Sequence, residues 1–522
     1  MNIPSRPRPR ANIAQGKFFT LLALALSVSL SACVSIPENR GIDDVNALLA
    51  ERHPGFQEQG WQDINALPNA AQQVTQLLSQ PLTPERALQV ALLRNPQVRV
   101  TYAQLGISQA EWQAASSLSN PELEFSVLDT GAAGEMLRLG YGLVQNFTDI
   151  LFLSARRRAA DAQLDQQKAE IAAHLQLLAA NVAEAYFDAV SSEQIYRMHQ
   201  VIAQAAENSA QLAQRFHTAG NLTALELARI QAGAEQALLE VDSAQAEAAD
   251  SKARLNAQMG LPPFTSWQTE EQLPLPILDE SEVKDLVQLS LQQRLDLHAK
   301  QLEIEALAEQ LDIAKDQRWF PHFNLGLEGE RESDGVNFIG PTVGIELPLF
   351  GSNRARVNAQ WARYEQAQAE GDLLVGQVAN GVTAAYARML AARNRAERHR
   401  TGLIPQREAI VARSQEMQNF MLIGQFELLE AKQEEYEAYG GYLEALKDYW
   451  LARVDLTRAV GAVLPSEQAR PGATEGAIEL PKEAPASGHH GHHMNHGAPS
   501  NHQPDPSQPN QSPHVHHEGG PQ

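Results

Sequence analysis

The feature that most constrains this chain is a long segment without a helix-breaking residue. Residues 155–216 contain neither Gly nor Pro and are rich in Ala, Gln, Glu and Leu, a composition typical of long helices. At 1.5 Å per residue, a helix of this length would be roughly 90 Å long. A single globular domain has no room for such a rod, so we expect it to pack along partner helices as in a coiled coil.

Three further long helical segments accompany the first. Residues 222–259 form a predicted return helix, residues 353–423 a second outgoing helix, and residues 425–460 a second return helix. We expect the second outgoing helix to be broken near Gly402 and Pro405, because both residue types disfavour a helix interior. The four segments together predict two helical hairpins.

The chain is an internal repeat with an offset of about 200 residues. Phe216-x-x-x-Gly220 recurs as Phe420-x-x-x-Gly424 at the two hairpin turns, and Asn95-Pro96-Gln97-Val98 recurs as Arg294-Leu295-Asp296-Leu297 at a helix start. Two copies of helix, strand, strand and long helical hairpin result. We divide the chain into a signal peptide (1–32), an N-terminal segment (33–82), a first repeat (83–263), a linker (264–280), a second repeat (281–464) and a tail (465–522).

Four short segments between the helices alternate apolar and polar side chains with the period of a β-strand. They lie at residues 122–128, 136–144, 322–330 and 339–347. Their pattern is typical of transmembrane strands, in which the lipid-facing residues would include Leu123, Phe125, Leu139, Leu325 and Ile345. A soluble sheet with one wet face has the same period and is the alternative. Because open edges do not sit in lipid and four strands cannot close a barrel, several chains must pool their strands, and a ring of three chains would supply twelve.

The N-terminus has the pattern of a bacterial lipoprotein signal. Basic residues precede an apolar stretch at 18–30 that is too short to span a bilayer, and Leu30-Ser31-Ala32-Cys33 resembles a lipobox. Cys33 is the one cysteine of the chain. We therefore expect it to carry a lipid anchor, against the alternative of an ordinary signal peptide and a free thiol. Val34, rather than Asp, implies sorting to the outer membrane, and no later apolar run is long enough for a helical membrane span.

Residues 465–522 are rich in Pro, Gly, Ser, Asn and Gln, and we expect them to be disordered. Nine of the 16 histidines fall in this tail. Neutral imidazole suits Cu, Zn, Ni and Co, and a thioether favours Cu(I). The tail is therefore predicted to bind a transition-metal ion, with a plain polar tail or an expression tag as the alternative. The candidate ligands are His489, His490, His492, His493, Met494, His496, His502, His514, His516 and His517.

Composition and motifs exclude two other classes of protein. With 41 basic and 63 acidic residues the formal charge is −22, which argues against binding nucleic acid. The sequence contains no phosphate-binding loop, no HExxH motif and no nucleophile elbow, so an enzyme is not expected and no cofactor is required. A coiled-coil lipoprotein without a pore would explain the long helices and Cys33, but not the four strands.

The lipobox, the twofold repeat of strands and long helices, and the glycines at both hairpin turns together resemble the TolC-like outer-membrane factors. Leu82-Thr83-x-Glu85-x-Ala87-Leu88 and Ala91-Leu92-x-x-Asn95-Pro96 are similar to the opening helix of that family. The resemblance covers residues 83–464. It implies a mixed α/β membrane protein, a homotrimer with a twelve-stranded barrel in outer-membrane lipid and a helical tunnel through the periplasm. It also implies a periplasmic adaptor (a membrane fusion protein) and an inner-membrane transporter of the resistance–nodulation–division type.

The same resemblance places both hairpin turns where the tunnel closes and the adaptor docks. The candidate residues are Gly220, Glu226 and Arg229 in the first hairpin and Gly424, Glu427 and Glu430 in the second. Glycine suits the positive φ that a tight turn commonly needs. A threefold axis would turn inward carboxylates into rings that favour cations; alternatively, the carboxylates stabilise helix N-termini. The tail favours heavy-metal ions such as copper as passively conducted cargo, with organic drugs or secreted polypeptides as alternatives.

Overall fold

The structure, a computed structural model, describes residues 41–53, 56, 69–128, 138–270, 272–319, 322–331, 336–346 and 351–468. The predicted signal peptide, Cys33 and the candidate metal ligands of the tail lie outside these residues. Among the described residues, α1 (Ile42–Ala50) and α2 (Ala70–Leu78) precede the repeats. In the described part of the chain, none of the helices combines the length and hydrophobicity that a membrane span requires.

The predicted order of helices and strands is present in both repeats. The first contains α3 (Pro84–Arg94), α4 (Pro96–Ser116), β1 (Glu122–Leu128), β2 (Arg138–Asn146), α5 (Phe147–Leu151), α6 (Leu153–Thr218) and α7 (Ala224–Met259). The second contains α8 (Val283–Gln293), α9 (Leu295–Asp316), β3 (Phe323–Arg331), β4 (Asn337–Ile345), α10 (Ser352–Arg398), a π-helical segment (His399–Leu403), α11 (Ile404–Asn419) and α12 (Gln425–Val460). A short helix, α13 (Pro465–Gln468), follows. The two return helices, α7 and α12, have 36 residues each.

Helix α6 is the longest element, with 66 residues, which corresponds to about 100 Å. It packs against α7, α9 and α12, and many of its buried residues are alanines. Small side chains let neighbouring helix backbones approach closely. Larger side chains fill the centre of this packing, where the Phe187 ring stacks on Trp450 at 4.8 Å. The Trp450 indole N–H donates to the Pro274 carbonyl oxygen at 2.8 Å.

The predicted break of the second outgoing helix is present. Helix α10 ends at Arg398, and the π-helical segment leads into α11. Pro405 has no backbone N–H, and its ring would collide with the carbonyl group of Thr401 in a regular helix. The wider π turn accommodates this residue, and α11 follows it directly at Ile404.

The four strands form one antiparallel sheet in the order β1-β2-β3-β4. Each lies within one or two residues of its predicted position. The register places apolar side chains opposite each other on one face: Leu123 pairs with Leu143, Phe125 with Tyr141, Val127 with Leu139, and Leu325 with Val343. The other face carries a row of Glu124, Gly142, Glu328 and Gly340. The sheet is therefore apolar on one face and polar on the other, with β1 and β4 at its edges.

Each return helix ends on a glycine that touches the helix junction of its own repeat. Gly260 follows α7 with φ 69°, and Gly461 follows α12 with φ 71°. A Cβ atom on Gly260 would lie 2.6 Å from Asn95 Cα, and one on Gly461 would lie 2.7 Å from Arg294 Cγ. Asn95 and Arg294 occupy equivalent positions, before α4 and α9. The same close approach thus closes both repeats.

Replacement of Gly260 by Ala should destabilise the protein by about 1–3 kcal/mol, because it adds a Cβ against backbone atoms at a positive φ. Thermal unfolding in detergent measures the effect. The control is Gly233→Ala within α7, where nothing lies within 4 Å of an added Cβ and a gain of up to about 1 kcal/mol is expected. Equal effects of the two substitutions would contradict the close approach at Gly260.

Candidate functional site

The two hairpin turns form the first candidate site. We name residues 219–223, between α6 and α7, the first tip, and residues 420–424, between α11 and α12, the second tip. The Asn221 N–H donates to the Phe216 oxygen at 2.9 Å, and the Leu422 N–H donates to the Met417 oxygen at 2.9 Å. The residue before each of these donors is left-handed, with φ 78° at Gly220 and φ 56° at Met421. The two turns therefore have the same backbone design.

This geometry corrects the alignment of the two turns. Gly220 has the expected positive φ. The same expectation for Gly424 is wrong, because Gly424 has φ −76° and ψ 161°. Gly424 is the N-cap of α12 and corresponds to Thr223, the N-cap of α7, which has φ −77° and ψ 155°. Met421 occupies the position of Gly220. The repeated Phe-x-x-x-Gly spacing therefore aligns Gly220 with Gly424, whereas the backbone conformations align Gly220 with Met421.

The structure gives Glu226 a defined partner at the first tip. The Thr223 hydroxyl donates to Glu226 Oε2 at 2.6 Å and the Thr223 N–H donates to the same oxygen at 3.0 Å, while the Glu226 N–H donates to Thr223 Oγ1 at 3.2 Å. This is a capping box. These hydrogen bonds, with a smaller contribution from Arg229, lower the pKa of the Glu226 carboxyl group. The Thr-x-x-Glu pattern that signals such a box was present in the sequence and was missed.

The second tip has no such box. Glu427 occupies the position equivalent to Glu226, but Gly424 has no hydroxyl group, and no side chain caps the start of α12. Glu427 and Glu430 are exposed. Among the residues that the structure describes, neither carboxylate has a hydrogen bond or an ion pair. The first two turns of α12, directly after the second tip, therefore carry two carboxylates without a partner among the described residues.

The two tips lie next to each other and differ in polarity. The Phe216 and Phe426 rings meet edge to face at 5.7 Å, which joins the end of α6 to the start of α12. Phe420, Met421 and Leu422 of the second tip are 77%, 92% and 70% exposed. The sequence alone did not indicate that this apolar loop is exposed.

The polar face of the sheet is a second candidate site. Glu124 and Glu328 lie on either side of Gly142, where a Cβ atom would be 3.7 Å from Glu124 Cβ and 3.3 Å from Glu328 Cγ. The Thr342 hydroxyl donates to Glu328 Oε2 at 2.9 Å. Carboxylates on a surface that lines a pore favour cations. The described residues hold no group of three or more His, Cys, Asp or Glu side chains placed to bind a metal ion.

Comparison with known families decides the classification. The model of the outer membrane efflux protein family matches residues 87–261 and 286–462, well over half of the chain. The chain belongs to the outer membrane efflux protein family. One match falls within each repeat, and the resemblance to TolC-like outer-membrane channels is confirmed. At the level of the family, the chain is an outer-membrane efflux channel.

Two relatives are similar in sequence over more than half of the chain. The chain is 26% identical to protein CyaE of Bordetella pertussis over 330 residues, which is 59% of this chain and 69% of CyaE. It is 25% identical to the cobalt-zinc-cadmium resistance protein CzcC of Cupriavidus metallidurans over 295 residues, which is 56% of this chain and 68% of CzcC.

Solved structures of outer-membrane channels share the fold. The outer-membrane channel OprN superimposes with a TM-score of 0.62 at 17% identity, covering 74% of this chain and 92% of OprN. CusC superimposes with a TM-score of 0.59 at 16% identity, covering 75% of this chain and 92% of CusC. The outer membrane protein VceC of Vibrio cholerae gives a TM-score of 0.59 at 17% identity, with 75% and 96% covered. A helical body with a small antiparallel sheet is therefore the fold of this chain.

The capping box at the first tip should depend on pH. Because the folded state lowers the pKa of Glu226, the box stabilises the start of α7 at neutral pH and is lost as pH falls below about 4. Hydrogen-exchange protection of residues 224–227, corrected for the intrinsic exchange rate, should decrease in that range. Thr223→Val should abolish the decrease, and residues 425–428 of α12 should show no comparable step. An unchanged pH dependence in Thr223→Val would contradict this assignment.

Proposed function

We propose that this chain forms the outer-membrane channel of a tripartite efflux pump and that it conducts transition-metal ions such as copper. The proposal of a channel rests on the sheet, which has one apolar face and one polar face. In this proposal three chains join their sheets into a barrel of twelve strands, with the apolar face toward lipid and the polar face toward the lumen. Strands β1 and β4 then pair with neighbouring chains, so that no open edge remains in the membrane.

The long hairpins supply the periplasmic part of the proposed channel. Helix α6 runs from the sheet to the first tip, a distance of about 100 Å. In the proposed pump the tips meet a periplasmic adaptor, which connects them to an inner-membrane transporter of the resistance–nodulation–division type. The channel itself conducts passively. A lipid on Cys33 anchors the chain to the outer membrane.

Three observations favour metal ions as the cargo. The relative CzcC carries the name of a cobalt-zinc-cadmium resistance protein. The tail holds nine histidines together with Met494, and imidazole and thioether groups are ligands for transition metals. Glu124 and Glu328 on the polar face of the sheet would form carboxylate rings in a trimer, which favour cations. Organic drugs are the competing cargo, and the tail experiment below separates the two.

The barrel is tested by two arginine substitutions at similar depth in the sheet. Leu327 lies on the apolar face opposite Leu143, and Thr342 lies on the polar face beside Glu328. Leu327→Arg should destabilise assembly by about 2–4 kcal/mol, because it places a charge toward the bilayer midplane, whereas Thr342→Arg should be tolerated. Heat-modifiable trimer on a detergent gel and conductance in planar bilayers report the outcome. If both variants assemble and conduct like the original protein, the assignment of the faces is wrong.

The tail is tested as a peptide and in the cell. A peptide of residues 488–517 should bind Cu(II), Cu(I), Zn(II) or Ni(II) in calorimetry, and binding should weaken as pH falls through about 6.5, because protonated imidazole cannot bind metal. The control is a histidine-free peptide of the same length. Truncation after Ser487 should lower metal tolerance in part, leave drug tolerance unchanged and leave the trimer intact. Binding no stronger than that of the control peptide would remove the preference for metal over drug export.

A further inference from the structure

A groove runs between the two repeats along the middle of α6. Helix α6 of the first repeat and helices α9 and α12 of the second line it, and Leu374 of α10 also contributes. Its volume is about 720 Å³, which lies in the range of cavities that hold a bound ligand. On α6 the lining residues run from Glu170 to Phe187, a length of about 26 Å. This inter-repeat groove is therefore large enough for a short peptide segment.

The part of the inter-repeat groove on α6 is apolar. Ala173, Leu177 and Ala180 line it at spacings of four and three residues, so they share one face of the helix. Leu177 is 45% exposed, although Leu178 beside it is buried. Because removal of apolar surface from water is favourable, the groove favours an apolar occupant.

The Lys and Arg side chains that line the groove are already paired. Each has a carboxylate partner within 3.6 Å, in the pairs Arg294–Asp296, Lys300–Glu370, Arg453–Glu280 and Arg458–Asp455. An anionic ligand would therefore find no unpaired Lys or Arg among the lining residues. The described residues also hold no group of three or more His, Cys, Asp or Glu side chains placed to bind a metal ion. Charge thus gives no reason to expect an ionic occupant.

The described part of the chain ends beside the groove. Val463 and Arg453 both line it, and Arg453 Nη2 donates to Ser466 Oγ at 2.8 Å. Helix α13 ends two residues later, at Gln468. Ten further residues in extended conformation reach about 33 Å, which exceeds the length of the groove on α6. Residues near position 478 can therefore reach any part of the groove of their own chain.

The tail contains one short apolar stretch within this reach. Ile478 and Leu480 are separated only by Glu479, whereas Met494 and Val515, the other large aliphatic residues after Gln468, stand alone among polar residues. In an extended segment alternate side chains point to the same side. Ile478 and Leu480 can therefore enter the groove together while the Glu479 carboxylate stays in water.

We infer that residues 477–480 of the tail dock in the inter-repeat groove of the same chain, with Ile478 and Leu480 against Leu177 and Leu374. Docking fixes the base of the tail to the helical body. His489, the first histidine of the tail, then lies within about 30 Å of Leu480. The inference goes beyond the proposed function and does not depend on it, since docking requires neither a channel nor a metal ion.

Two other occupants compete for the groove, the tail of a neighbouring chain in the proposed trimer and a small apolar molecule. The tail of the same chain is favoured because it starts beside the groove. A covalent connection of this kind gives a high effective concentration, which neither competitor has. The experiments below distinguish the three occupants.

The first test is limited proteolysis of the full-length protein in detergent with a glutamate-specific protease. Glu479 lies in the docked segment, whereas Glu518 lies near the far end of the tail. Each cleavage rate is divided by the rate at the same bond in the unfolded chain. Cleavage after Glu479 should be about tenfold slower than cleavage after Glu518, because a docked segment must be released before it is cut. Equal normalised rates at the two bonds would overturn the inference, and this is also the result expected if a small molecule fills the groove.

The second test changes the groove and leaves the tail intact. Leu177→Ser removes the exposed leucine of the groove and should raise the cleavage rate after Glu479 about tenfold. The matched control is Leu373→Ser, which removes another exposed leucine, 61% exposed, that does not line the groove. It should leave the rate unchanged. Thermal unfolding shows that both variants are folded. Protection of Glu479 that persists in folded Leu177→Ser would contradict the inference.

The third test identifies the chain that supplies the tail. p-Benzoylphenylalanine replaces Ile478, or Val515 as the control, and the irradiated protein is separated on a denaturing gel and mapped by mass spectrometry. Position 478 should give an adduct with residues 170–187 of α6 in a band of single-chain size, with a yield about tenfold above that from position 515. An adduct in a band of two-chain size, or equal yields from both positions, would overturn docking in the same chain.

Discussion

The packing of small side chains along α6 is the interaction on which the rest of the structure depends. Many of its buried residues are alanines, and α7, α9 and α12 all pack against it. Because α6 starts directly after the sheet and α5 and ends at the first tip, it separates the strands from the turns by its whole length. A break in this helix would uncouple the two candidate sites. The absence of Gly and Pro over residues 155–216 lets α6 cover this distance as one regular helix.

The linker between the repeats is fixed by a buried charge pair. Arg453 of α12 lies 3.6 Å from Glu280, and both side chains are almost fully buried. Ser466 joins them, since Arg453 Nη2 donates to Ser466 Oγ at 2.8 Å and Ser466 Oγ donates to Glu280 Oε1 at 2.6 Å. Such a pair contributes little net stability, but removal of one partner leaves an unpaired buried charge. The network therefore defines where the linker sits on the last long helix.

The sequence predicted the regular parts of this fold well, because they follow from period and from helix breakers. The strand positions and the π-helical break before Pro405 depend on local rules that hold wherever the segment is placed. The register of the second tip did not follow from such a rule. Gly424 is the only glycine in the second tip, so it was the expected left-handed residue. In the structure Met421, three residues earlier, is left-handed instead. Metal binding by the tail and lipidation of Cys33 remain predictions from the sequence. Adaptor contact by the six candidate residues of the two hairpins also remains a prediction.

The two repeats keep the same residue where an added side chain would collide, and they differ at the exposed tips. At Gly260 and Gly461 an added Cβ would lie within 3 Å of an atom of Asn95 or Arg294, so a side chain there would force a neighbour to move. The tips face open space, and nothing lies within 4 Å of a Cβ added at Gly220 or Gly424. At such positions the fold tolerates Gly, Met or Thr at modest energetic cost. Packing therefore keeps the repeats alike in their interior. Their exposed ends are free to acquire different chemistry, so a difference between the two tips reflects what each tip contacts.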